Sequence, residues 1–340
     1  MRISKFHFLF LFLFLFLRSL GQDIHWSQYN ASPLNLNPAL AGIFDGDQRI
    51  IANHRNQWNS VTLPYKTISL SYDRPIAMKG LKNASFGGGI VVNNDKAGDS
   101  RMGVFQVNMI FNYIRKMSKD SVHLLSAGLS AGVGQRSFNT TNLSFDDQWN
   151  GDSYDPNMST GENFDRTALI FYDITPGIDW YYKPTQRLKG NLGISFAHVN
   201  RPNMSFMNNA DISLHPKTTI HAKMQFPVHK EIDVLPSFIY EKQNQYHEFI
   251  TGASVKYIMA TKYGYNSAFY LGTYLRFGDA VILSTGVDFK DFHFGFSYDI
   301  NTSGLKPASN GRGGFELSLV YILRKFIPIN EHKHICPVYL

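Results

Sequence analysis

Phe292-His293-Phe294-Gly295-Phe296-Ser297-Tyr298-Asp299-Ile300 puts its large apolar side chains at even positions and its small or polar ones at odd positions. Successive side chains of a strand point to opposite faces, so this stretch reads as a strand with one apolar face. The segment before it repeats the pattern, with Val281, Leu283, Thr285, Val287 and Phe289 set against Ser284, Gly286, Asp288 and Lys290. Ala127, Leu129, Ala131 and Val133 alternate with Ser126, Gly128, Ser130, Gly132 and Gly134. Near the C-terminus, Phe315, Leu317, Leu319, Tyr321 and Leu323 face away from Glu316 and Ser318.

Alternation alone fits a soluble sandwich as well as a membrane barrel. Three features favour the barrel. Glycine and serine dominate many polar faces, where a water-exposed sheet would carry more Lys, Glu and Thr. Aromatic residues are 14% of the chain and gather near strand ends, as in Trp180-Tyr181-Tyr182 and Tyr263 with Tyr265, suggesting interfacial girdles. The strands are also long enough for a tilted crossing of about 9–11 residues.

The pattern predicts an all-β fold, a transmembrane antiparallel β-barrel of about fourteen strands. They fall near 48–58, 65–74, 84–94, 101–117, 121–137, 168–182 and 188–199. The second half continues at 216–226, 231–242, 246–258, 267–277, 280–289, 292–301 and 312–323. An even count returns the chain to its starting side. With the N-terminus in the periplasm, the long connections 138–167, 200–215 and 302–311 all face outward, as long loops do in such barrels. The inward positions, rich in Gly, Ser and Asn with few charges, predict a narrow or plugged interior.

The N-terminus has a separate reading. Arg2 and Lys5 precede the apolar run Phe8–Leu17, and Ser19 and Gly21 place small residues before Gln22. That is the pattern of a cleaved secretory signal peptide over 1–21, since ten apolar residues fall short of the ~20 of a membrane helix. Loss of Arg2, Lys5 and Arg18 lowers the formal charge from +7 to +4, too mild to argue for nucleic acid. The only cysteine, Cys336, excludes an intramolecular disulfide. The chain thus divides into 1–21, a periplasmic segment 22–47, the barrel 48–325 and a periplasmic tail 326–340. The expected location is the outer membrane, with lipids against the barrel.

Several motifs then carry a resemblance. They are Gln22-Asp23-Ile24-His25-Trp26-Ser27-Gln28-Tyr29, Asn35-Leu36-Asn37-Pro38-Ala39-Leu40-Ala41-Gly42, Arg55-Asn56-Gln57-Trp58 and Thr67-Ile68-Ser69-Leu70-Ser71-Tyr72-Asp73. Phe86-Gly87-Gly88-Gly89-Ile90 leading to Asp95-Lys96-Ala97-Gly98 extends them, as does Cys336-Pro337 near the end. In their order and spacing they resemble the PorP/SprF family of type IX secretion membrane proteins, well over about 22–100 and by strand pattern beyond. The tail Val338-Tyr339-Leu340 departs from the Arg-Phe ending that the resemblance leads one to expect. The resemblance implies a Bacteroidota-type accessory of secretion and gliding motility. Such a protein docks or shuttles cargo bearing a type B C-terminal sorting domain to the translocon barrel. Periplasmic secretion or motility components are further implied partners. The alternative is a passive pore or a transport barrel for small hydrophobic solutes.

The same residues have a local reading. Asn37 caps a turn that Pro38 opens and Gly42 ends, and such a turn fits beneath or just inside the periplasmic mouth. Arg55, Gln57 and Trp58 close the first strand, as a lumen-facing Arg and an interfacial Trp or as partner contacts. The acidic stretch 145–165 matches no EF-hand and reads as a solvated or partner-facing loop rather than a calcium site. Its Trp149 and Tyr154 are of the types favoured at interfaces. His332, His334 and Cys336 fall short of the four ligands of a structural zinc site, leaving Cys336 as a candidate terminal contact. Gly128-Leu129-Ser130-Ala131-Gly132 spells G-x-S-x-G inside an alternating strand without a following helix, so it reads as a small-residue lumen face. Gly87-Gly88-Gly89 lacks the Lys and Ser/Thr of a phosphate loop and reads as a close backbone approach. No enzyme, cofactor or metal is expected.

Overall fold

The computed structural model describes residues 23–324 except 58–64, 79, 82, 99, 141–142, 163–164, 208, 210, 263–264 and 305–310, and leaves out the side chains of 260–266. The expected signal peptide 1–21, Trp58, Tyr263, the His332–His334 pair, Cys336 and the rest of the expected tail 326–340 lie outside the described residues.

Alternation becomes the wall of a closed antiparallel barrel. Its strands are β1 (Gln48–Gln57), β2 (Tyr65–Ile76), β3 (Ala84–Ala97), β4 (Met102–Lys116), β5 (His123–Ser137), β6 (Ala168–Tyr182) and β7 (Lys189–Ala197). They continue as β8 (Lys217–Pro227), β9 (Ile232–Gln243), β10 (Tyr246–Lys262), β11 (Tyr265–Arg276), β12 (Ala280–Phe289), β13 (Phe292–Asn301) and β14 (Arg312–Leu323). Each strand pairs with its sequence neighbours, and β1 closes on β14 through Arg49↔Ile322, Asn53↔Ser318 and Arg55↔Glu316. Closure leaves no free edge strand, although β6 pairs with the shorter β7 only over Gly177–Tyr182, and Val199 and Asn200 of the next connection bond β6 at Tyr172 and Ile174 beyond it.

The apolar face is the outer one. Ile170 is 69% exposed and Leu271 62%, while Asp173 and Ser297 on the other face of their sheet are buried. A soluble sandwich would show the reverse, so the surrounding solvent is lipid. Among the described residues no helix is long and apolar enough to span a membrane, and the crossing is made by strands. Trp180 and Tyr182 face outward near one rim, where Trp180 stacks with His123 at 5.8 Å. Tyr181 of the expected girdle turns inward by the same alternation and borders the interior cavity.

The connections 138–167, 198–216 and 302–311 all leave one mouth, the long-loop mouth. β1 begins and β14 ends at the opposite, short-turn mouth. The 198–216 connection packs back on the wall. Met204 joins Leu169 and Phe171, Phe206 meets Phe138 edge-on at 4.7 Å, and Arg166 donates to the Ser205 carbonyl at 2.7 Å.

The segment expected at the periplasmic mouth runs instead through the whole lumen. Asp23 sits beside His198, Lys217 and Gln243, which end or begin strands at the long-loop mouth. Asp45 reaches Lys183 and Lys189 at the short-turn mouth. An extended chain rises about 3.3 Å per residue, so some twenty residues interrupted by short turns suffice to cross the barrel. The expectation fails because local sequence sets the turns of this segment but not the direction in which it threads.

Candidate functional site: a lumen filled by the chain itself

Residues 23–47 form a plug whose conformation is set locally. Tyr29–Ala31 and Pro38–Leu40 are 3₁₀ turns, and Pro33–Leu36 is a single α turn. The Asn37 side chain accepts from the Ala39 N–H at 2.9 Å, the cap expected before Pro38. Gly42 takes φ +76°, a conformation open to glycine at little cost, and its N–H donates to Asp73 at 2.8 Å. Arg49 locks the same carboxylate through Nε at 2.9 Å and a second nitrogen at 2.8 Å.

The wall holds the plug largely by its main chain. Asn112 donates to the Ala39 and Ala41 carbonyls at 2.7 and 2.9 Å, and Ser126 shares the Ala39 oxygen at 2.9 Å. Ser195 donates to the Leu36 carbonyl at 2.9 Å, and Asn53 to that of Ala31 at 3.2 Å. Irregular backbone inside a barrel needs such partners, because buried N–H and C=O groups are costly when unpaired. Apolar contact adds to this. Tyr29, Leu36 and Leu40 pack with Ile239, Ile250, Tyr274 and Ile282, while Leu34 and Ala41 meet Val91 and Ile110. Each buried Leu contributes about 1.5–3 kcal/mol relative to exposure.

Two glycines noticed in the sequence make room for the turn. A Cβ on Gly128 would overlap the Pro38–Ala39 backbone, and one on Gly87 the Ala41 carbonyl. G-x-S-x-G is therefore a seat for the plug, and the Gly87 triplet is the expected close approach.

Toward the long-loop mouth the plug meets a buried charge network. Arg55 pairs with Glu316 at 3.2 Å and Asp299 at 3.6 Å, and it donates to the His25 carbonyl. Glu316 accepts the Ser27 and Gln28 N–H groups at 2.7 and 2.8 Å. Arg276 binds Asp299 at 3.0 Å, Glu248 at 3.3 Å and the Ser27 hydroxyl at 2.6 Å. Asp23 is held by Lys217 at 2.8 Å and by His198, whose Nδ1 lies 2.8 Å from Asp173. Burial lowers the His198 imidazole, but the Asp23 charge and the Asp173 hydrogen bond outweigh it and raise it to about 9. At the other rim, burial raises the Asp45 carboxyl. The Lys183 hydrogen bond and the Lys189 charge outweigh this and hold it below the usual range.

The interior is thus plugged, but the expectation of few inward charges fails. Inward acids and bases are scattered, as with Asp73 in β2, Asp233 in β9, Arg276 in β11 and Glu316 in β14, so no single segment looks charged. Closure of the barrel collects them.

The candidate residues separate cleanly. Asn37, Pro38 and Arg55 are buried and engaged inside the lumen, Gln57 is half-buried at the end of β1, and Trp149 and Tyr154 are 58% and 43% exposed. Trp149 and Tyr154 form an isolated antiparallel bridge across a turn in the 138–167 loop. Among the described residues no three His, Cys, Asp or Glu side chains gather as a metal-holding group. Sequence reading passed over Glu316, Asp299, Arg276 and His198. The first two stood in alternating strands as polar-face residues, with nothing local to mark them.

Beside the plug a cavity of about 1180 Å³ fills the short-turn half of the lumen, and no described residue of the three long connections lines it. Gln28, Leu36 and Leu40 of the plug form one side, and Lys223, Lys256, Tyr270 and Tyr274 belong to the wall opposite.

A fourteen-stranded barrel with an apolar exterior and its own chain in the lumen is an outer-membrane β-barrel of the plugged kind. The chain belongs to the family described as type IX secretion system membrane protein PorP/SprF, whose model matches residues 19–321. Family membership implies interaction with components of that secretion system. No curated protein sequence matches significantly. Among solved structures the chain is similar to the toluene transporter TbuX of Ralstonia pickettii. The TM-score is 0.54 at 10% identity, over 87% of this chain and 94% of that one. The monoaromatic hydrocarbon channel CymD gives 0.48 at 12% identity, over 87% and 93%. A FadL homologue from Pseudomonas aeruginosa gives 0.47 at 11%, over 86% and 94%. Likeness at such identity concerns the fold alone.

Proposed function

We propose that the protein is a non-catalytic accessory of type IX secretion in the outer membrane. It docks or shuttles cargo bearing a type B C-terminal sorting domain to the translocon barrel. The observation that supports this reading is the lumen filled by residues 23–47, pinned at both mouths by ion pairs. A barrel closed in this way works through its surfaces rather than by conduction. Trp149 and Tyr154 are the proposed contacts, since exposed Trp and Tyr on a long loop suit an interface anchor. Gln57, at the same mouth, is a subsidiary candidate. Asn37, Pro38 and Arg55 act by holding the plug.

A native pull-down of the tagged protein from outer membranes in mild detergent, read by mass spectrometry, tests the reading. Recovery of a translocon barrel or a cargo sorting domain supports docking. Recovery of the barrel alone, while other membrane complexes survive, counts against it. The second reading, transport of a small hydrophobic solute, draws on the interior cavity and on the shape shared with a toluene transporter. Toluene uptake into vesicles carrying the purified barrel would favour it.

A further inference from the structure

The cavity in the short-turn half carries a surplus of positive charge. Among the described residues, eight Lys and Arg line it against four Asp and no Glu. All four acids are already engaged: Asp45 with Lys183 and Lys189, Asp233 with Arg187, Asp288 with Lys256, and Asp291 with Arg324. Arg49 is committed to Asp73. Lys223 on β8 and Lys230 in the following turn have no ion-pair partner among the described residues. Lys223, within the lumen, is a cation whose missing counter-charge is costly, and an incoming anion relieves that cost, while exposed Lys230 marks the rim.

We propose that this vestibule receives an extended acidic polypeptide segment entering through the short-turn mouth, its carboxylates meeting Lys230 at the rim and Lys223 within. Three observations favour a peptide. Lys223 lies four residues inside the β8 end at Pro227, about 13 Å at ~3.3 Å per residue, so one ligand touching both must be long. The volume of about 1180 Å³ exceeds the ~300–1,000 Å³ of most small-molecule sites. The same lumen already holds one polypeptide segment through side-chain donors to its carbonyls. Short turns face the periplasm in barrels of this class, so the segment would come from that side. The site lies at the opposite mouth from Trp149 and Tyr154 and does not depend on the docking reading.

The test uses the full chain in zwitterionic detergent with three probes: a fluorescein-labelled alternating Glu-Leu octapeptide, its Gln-Leu counterpart and decanoate. The acidic peptide is expected to bind and to weaken as salt is added. Lys223→Met with Lys230→Gln should lower its affinity at least tenfold, with β-sheet circular dichroism unchanged and the melting temperature not lowered. The Gln-Leu peptide should bind at least tenfold more weakly. Equal binding of the two peptides, or a double variant that binds like the wild type, overturns the proposal. Saturable binding of decanoate without binding of the acidic peptide overturns it in favour of a small-carboxylate site. Peptide binding with an empty pull-down refutes cargo docking and leaves the vestibule standing, while the reverse pair of results refutes the vestibule alone.

Discussion

Replacing Glu316 with Gln probes the point where plug and wall are joined. Glu316 lies opposite Arg55 across the β1–β14 seam, and its side chain is 2% exposed. One oxygen takes the Ser27 N–H and faces Arg55, and the other takes the Gln28 N–H. Glutamine keeps one acceptor, sets an NH₂ donor against one backbone donor, and leaves buried Arg55 with Asp299 at 3.6 Å as its remaining acid. Breaking a buried ion pair by removing one partner costs about 3–5 kcal/mol. Taking ~3 kcal/mol, because the amide retains one hydrogen bond, local opening of the plug should become about a hundredfold more frequent. Hydrogen exchange at the Ser27 and Gln28 amides in the detergent-solubilised barrel reads this directly. Planar-bilayer recordings should show added brief openings. Unchanged exchange at both amides, with the barrel intact, would refute the argument that this carboxylate holds the plug.

Other outcomes follow from the same contacts. His198 has a folded value near 9, above its ordinary 6.5, so its contribution is complete below about pH 6.5 and is lost as pH rises through 9. The melting temperature should therefore fall between pH 7 and 10, and His198→Asn should remove most of that slope. Gly128→Val would push a side chain into the Pro38–Ala39 backbone, costing about 1–3 kcal/mol or displacing the turn. Faster amide exchange over 39–42, with wall strands still protected, would report it. Trp149→Ala with Tyr154→Ala should change melting by less than about 0.5 kcal/mol equivalent each, since both side chains are exposed, yet abolish partner recovery in the pull-down.

The wall is legible in the sequence because alternation is a local property. Phe292, Phe294, Phe296 and Tyr298 face lipid in β13 as their spacing requires, and β6, β12, β13 and β14 begin and end where the pattern does. Asn37, Pro38 and Gly42 were legible for the same reason, since cap, turn opening and turn exit lie within six residues. The candidate site was legible only in part. Arg55 could be recognised as inward, but Glu316 is 261 residues away, and only closure of β1 on β14 makes them neighbours. Asp23 and His198 are 175 residues apart and meet because the plug runs toward the long loops.

By itself, then, the order of residues determined an outward apolar wall of fourteen strands, a turn at Pro38 and a long-loop mouth, because each depends on neighbours within a few positions. Tertiary structure alone decided which way residues 23–47 thread and which inward charges pair. It also decided that, among the described residues, Lys223 and Lys230 are left without an ion-pair partner. Those outcomes depend on which side chains a closed ring brings into one enclosed volume, and no local pattern encodes that.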